Sequence, residues 1–237
     1  GLRPHNQLKR IITMIIYQGP SLIDGKPIIA IATLNSSNSK TGEMIQTWIM
    51  RSDIEPHKAI KTGDDSSVCG DCPHRPENDG SCYVLTFQAP LSVYRAFHRG
   101  SYDNRSIELF RGKPLRLGSY GDPLAVPLEA WNDLIEISEG RTGYTHQWAN
   151  PDFSPIWKEL VMASVDNPEQ AKRAQDDGWR YFRVTNETAP KTKGESICPA
   201  SEEAGKKLAC ADCLSCSGQT GRKSSIVINA HGSRAGN

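Results

Sequence analysis

From Pro90 onward the chain alternates apolar runs with helical segments of about ten residues, and this alternation limits the available folds more than any other feature. Pro90–Arg99 places Val93, Tyr94 and Phe97 on one helical face and stops at Gly100. Leu115–Ser119 reads as a strand, Pro127–Ser138 as a helix with Leu128, Trp131, Leu134 and Ile135 inward, and Gly143–Trp148 as a strand. Leu160–Val165 is a strand; Asn167 caps a helix that starts at Pro168, runs through Asp177 and ends at Gly178; Trp179–Val184 is a strand. Ser196–Cys198 and Ser225–Asn229 complete the series. Strands separated by helices form βαβ units, so the predicted fold is α/β: a mostly parallel, incomplete (β/α) TIM-like barrel, with an open doubly wound sheet as the alternative.

The first third of the chain has a different texture. Residues 8–17 are β-branched and apolar and end at Gly19-Pro20, while Lys26–Leu34 and Met44–Met50 flank a turn-forming stretch at 35–42. Thr62–Ser67 reads as a solvated turn. The expected organisation is an N-terminal β extension over residues 1–65, followed by a barrel over 66–237 that carries two cysteine centres in the same globular unit.

All seven cysteines fall into two groups. Cys69, Cys72 and Cys82 share a loop stiffened by Gly70, Pro73, Pro76 and Gly80; Cys198, Cys210, Cys213 and Cys216 supply four thiolates. Thiolates are soft ligands, and an odd number of cysteines in Cys-x2-Cys clusters suits metal better than disulfides. Three ligands leave a position open and four close a site, so the pattern predicts one open and one closed centre, each holding a [4Fe-4S] cluster or zinc. His74 could complete a zinc site with the first group.

Polar residues follow the apolar strands at Ser119–Asp122, Thr145–Gln147, Ser164–Asp166, Thr185-Asn186, Cys198 and Asn229–His231. In parallel α/β folds the strand C-termini hold the active site, so these positions read as the rim of one pocket. His146, Asp166, Arg183 and His231 are the catalytic candidates, each weighed against a structural role. No phosphate loop, dinucleotide fingerprint or hydrolase triad is present. A net charge of +1 argues against a surface dominated by phosphate binding, so nucleic acid is not indicated, although Arg95, Arg99, Arg105, Arg111 and Arg116 alternate with Tyr94, Phe97, Tyr102 and Phe110. The longest apolar stretches, Ile11–Ile16 and Pro27–Leu34, are too short to span a bilayer, and the chain reads as soluble and cytoplasmic.

The early three-cysteine loop, Gly121-Asp122-Pro123 at a strand end and the Ser164-Val165-Asp166 turn together resemble the radical S-adenosylmethionine superfamily. The Ala-Ser-Val-Asp turn, the late Cys198-Pro-Ala and the closely spaced cysteines after it are similar to those of phage-encoded proteins. The resemblance, covering roughly residues 69–231, implies a [4Fe-4S] cluster on Cys69, Cys72 and Cys82. It also implies S-adenosylmethionine held by Tyr120, Gly121, Asp122 and Ser164, and a bacterial cell infected by or carrying a phage. The cysteine spacing here, Cys-x2-Cys-x9-Cys, differs from the superfamily's usual Cys-x3-Cys-x2-Cys. The contrasting reading, from another class, is a zinc-stabilised protein that binds nucleic acid or serves replication without catalysis.

Overall fold

The computed structural model describes residues 13–34, 40–102, 107–185, 192–205, 208–220 and 224–230. His231, Arg105, Asn186 and the stretches 8–12 and 35–39, all invoked above, lie outside the described residues. The core is a nine-stranded sheet in the order β1-β2-β3-β4-β5-β6-β7-β9-β8. These strands are β1 (Thr13–Pro20), β2 (Pro27–Thr33), β3 (Ile45–Arg51), β4 (Leu115–Tyr120), β5 (Arg141–Thr145), β6 (Met162–Val165), β7 (Tyr181–Thr185), β8 (Glu195–Ile197) and β9 (Ser225–Asn229).

The expected TIM-like barrel is not present. Closing a barrel requires its first and last strands to pair with a common stagger, but β1 and β8 are the two edges of an open sheet. The sequence of connections explains why. β1–β2 and β2–β3 are antiparallel hairpin pairs, which run one edge outward as a meander. At the other edge β9 inserts between β7 and the three-residue β8, so the chain's last strand does not return to its first. From β3 onward every pair is parallel, as the alternation predicts. β3 pairs directly with β4, which makes the N-terminal strands one end of this same sheet.

Helices α1 (Pro56–Thr62), α2 (Ser66–Cys69) and α3 (Ala89–His98) connect β3 to β4, and α4 (Asn132–Ile137), α5 (Trp157–Leu160) and α6 (Pro168–Asp176) serve the following crossovers. The stretch 62–67, expected to be all turn, includes the end of α1 and the start of α2. Strands β3 to β7 advance in one direction across the sheet, and right-handed crossovers then put their helices on one face. On that face Leu115, Leu117, Ala163, Val165 and Tyr181 pack beneath the helices in the large core. Tyr144 of β5, Met162 of β6, Phe182 and Val184 of β7, and Ile226 and Ile228 of β9 form a second, smaller core together with Cys198 and Cys216. One chain thus builds two apolar layers; Cys198 and Cys216 belong to the second, whereas Cys69, the last residue of α2, packs against the first.

Some element ends move for identifiable reasons. The strand expected at 143–148 stops at Thr145, because Thr145 Oγ1 accepts a hydrogen bond from Gln147 N at 2.9 Å and turns the chain. Gly19 and Pro20, expected to halt β1, pair with Ile28 and Pro27 instead, as an edge strand permits. Residues Trp157–Leu160 coil as α5 before β6 begins at Met162.

Candidate metal-binding cavity

The first cysteine loop is anchored from beneath. Arg75, buried, pairs with Asp65 at 2.8 Å and also donates to the carbonyls of Gly63 at 2.8 Å and Gly70 at 3.3 Å. Asp122 N bonds Val68 O at 2.6 Å, and Gln147 Nε2 reaches Asp71 at 2.8 Å, so the loop is tied to the ends of β4 and β5. Gly80 lies directly on the backbone of His74, where a Cβ would come within 2.3 Å of its carbonyl carbon. That close approach, with Cys82 N bonded to His74 O at 3.0 Å, fixes the outward course of His74.

His74 Nε2 meets Asp166 Oδ1 at 2.7 Å, and His146 Nε2 lies 3.9 Å from Asp166 Oδ2 and 3.9 Å from Cys72 Sγ. Burial pushes the His146 imidazole down, but hydrogen bonding to Asp166 and to Cys72 outweighs it and lifts the group to about 10. Burial likewise pushes Asp166 up, yet the two imidazoles hold its carboxyl well below the usual carboxylate range. Behind them, Asp122 accepts from Leu124 N at 3.0 Å and from Thr145 Oγ1 and His146 N, both at 2.9 Å. Burial raises this carboxyl against those hydrogen bonds. Both of its oxygens are therefore engaged within the chain, and its visible work is to position His146.

The second cysteine group lies across the helix-free face. Cys198 N bonds Val227 O at 2.9 Å, Cys210 N bonds Lys40 O at 3.0 Å, and Gly143 N bonds Cys216 O at 3.1 Å. Arg180, buried, donates to the carbonyl oxygens of Ser215 at 2.9 Å and Ser224 at 2.6 Å and so holds the segment to the sheet. Helix α7 (Cys210–Cys213) ends at Leu214, a non-glycine residue at φ 47° that turns the chain sharply between Cys213 and Cys216.

Both groups open onto one cavity of about 260 Å³. Cys72 and Cys82 wall one side of it, and Cys198, Cys210, Cys213 and Cys216 the other. Tyr144 and Phe182, with ring centroids 4.5 Å apart, supply apolar wall. Arg116 of β4 also lines the cavity and donates to Tyr83 Oη at 2.7 Å. Burial makes Cys69, Cys198, Cys210 and Cys216 costly to ionise as they stand. Burial raises Cys69, with added repulsion from Cys72, Asp65 and Cys82. Burial also raises Cys216 to about 12, with Cys198, Cys210 and Cys213 among its neighbours.

The cysteine sulfurs do not assemble at single-ion spacing. Among the described residues, the group whose ligand atoms all lie within 4.8 Å of one another is His74, His146 and Asp166, with no set of three cysteines beside it. A tetrahedral zinc with Zn–S near 2.3 Å needs its sulfurs about 4 Å apart, whereas irons and sulfides between the ligands spread a cluster's thiolates wider. The Tyr120 hydroxyl is buried without a hydrogen-bond partner, and Cys69 and Cys82 are among the groups that raise its pKa after burial itself. Among the described residues the cysteines thus do not gather round one point, and no ligand is identifiable from them.

Of the residues assigned to S-adenosylmethionine, Ser164 lines the cavity, Tyr120 is buried beside the first cysteine group, Gly121 turns at φ 84° against Ile49, and Asp122 is engaged as described. Arg183 makes a bidentate pair with buried Glu195, 2.8 Å at each contact, across the sheet edge. In the arginine–aromatic stretch Tyr94 and Phe110 are buried, Arg95 pairs with Glu55 and Arg111 with Glu108. Sequence reading passed over Tyr144 and Phe182 and weighed Arg116 only for nucleic acid; the signal for all three was strand alternation, which puts them on the cysteine face. Among the described residues, no helix is long and apolar enough to cross a membrane. Searches of protein-family models, curated proteins and solved structures return no match.

Proposed function

We propose that this chain is an iron–sulfur enzyme of the radical S-adenosylmethionine type that acts on a small substrate. Its setting would be the cytoplasm of a bacterium infected by or carrying a phage. The observation that carries the reading is the single cavity walled by cysteines of both groups at the C-terminal ends of parallel strands. Cys72 and Cys82 in its wall, with Cys69 beside them, would hold an open cluster, and Cys198, Cys210, Cys213 and Cys216 a closed one. A cluster at the first group would supply the electron for reductive cleavage of S-adenosylmethionine.

The protein's own groups do the rest. Ser164 faces the cofactor, Tyr120 offers its unpaired hydroxyl toward the first cysteine group, and Tyr144 and Phe182 exclude water from the substrate side. Anaerobic reconstitution tests the reading. The expected result is bound iron and sulfide, absorption near roughly 400 nm, and formation of 5′-deoxyadenosine when dithionite and S-adenosylmethionine are added. Cys72→Ala should remove about half the iron and all of the cofactor cleavage. Stoichiometric zinc with no iron would sink the proposal.

A further inference from the structure

We infer that His74, His146 and Asp166 form a mononuclear site for a divalent transition metal of the ferrous-iron class, built without a cysteine ligand although Cys72 Sγ lies 3.9 Å from His146 Nε2. The three ligand atoms already lie within 4.8 Å of one another. Two imidazoles and one carboxylate are the donor set that ferrous iron takes with coordination positions left open; His74 and His146 stand in the cavity wall, and Asp166 meets both of them.

Support around the ligands points the same way. Ser81 Oγ lies 2.8 Å from His74 Nδ1, which leaves Nε2 as the ligating atom. Asp122 holds the backbone of His146, and Gln170 Oε1 accepts from Asp166 N at 2.9 Å. The ligands come from three separate segments: the first cysteine loop, the end of β5 and the end of β6. A residue from each converging on one point is the arrangement of a site built at strand C-termini. None of the three ligands is a cysteine, and the inference does not depend on the cluster reading.

The test is titration of the full chain, freed of metal by chelation, with Mn²⁺, whose free-ion electron paramagnetic resonance signal disappears on binding. We expect one Mn²⁺ per chain and electron spin-echo modulation from two imidazole nitrogens. Asp166→Asn and His146→Gln should each weaken binding by more than the roughly 10- to 100-fold that loss of an outer-shell partner costs. Circular dichroism checks that the variants fold; if Asp166→Asn does not, His74→Gln replaces it and the nitrogen modulation of the unmodified chain decides. A Cys69→Ser/Cys82→Ser variant separates this inference from the cluster reading, since it should lose about half the iron and sulfide yet keep Mn²⁺. An unchanged free-ion signal, binding that survives Asp166→Asn, or binding lost with the cysteines would each overturn the inference.

Discussion

Arg75 shows how one side chain can hold a functional loop in place. Its guanidinium satisfies Asp65 and two backbone carbonyls from inside the loop's base, and neither partner of the ion pair has much access to water. Arg75→Met leaves the Asp65 carboxylate buried without its partner, a change that costs about 3–5 kcal/mol in comparable sites. Urea unfolding of the variant should show that loss, and a difference under 1 kcal/mol would mean the pair is incidental. The cysteines were legible in the sequence because their chemistry is carried by residue type and spacing. Asp122 was visible too, but its role was not: which groups face a carboxylate depends on Thr145 and the backbone of His146, more than twenty positions away. The meeting of His74 with Asp166 spans ninety-two positions and has no local signature.

At the scale of elements, periodicity located most strands to within a few residues, since a strand with two buried faces is apolar along its length. What it could not supply was the order at the edges. Nothing in Glu195–Ile197 says that β9 will insert inside β8, because that choice rests on a contact across β9 between Glu195 and Arg183. This contact also makes the edge sensitive to acid. Burial pushes the Glu195 carboxyl up, but hydrogen bonds from Arg183 and from the backbone of Thr192 outweigh it, and the folded value lies below the ordinary 4.5. A lowered carboxyl stabilises the fold above its unfolded value, and that contribution disappears as pH falls through the folded value. Thermal melts should therefore drop below about pH 4.5, and Glu195→Gln should flatten that part of the curve while lowering the melt at neutral pH. A variant whose melt keeps the full acid slope would refute this account of the edge.

For the molecule as a whole, the open sheet has unequal sides. One is covered by helices that need nothing but their own apolar faces; the other is covered by segments 198–205 and 208–216, whose buried groups include Cys198 and Cys216. In the function proposed above, metal is part of what makes that second cover fold. Limited proteolysis should cut metal-free protein first within 198–216 and spare the helical side, with protection returning on reconstitution; equal resistance with and without metal would count against it. The unequal sides also bear on the protein's life in the cell. A newly made chain without metal would show Phe182, Val184 and Ile228 to the surroundings, a sticky patch of the kind that chaperones and proteases survey. Iron supply would then govern not only how active the protein is but how much of it survives, so that abundance itself becomes a gauge of the metal economy of its host.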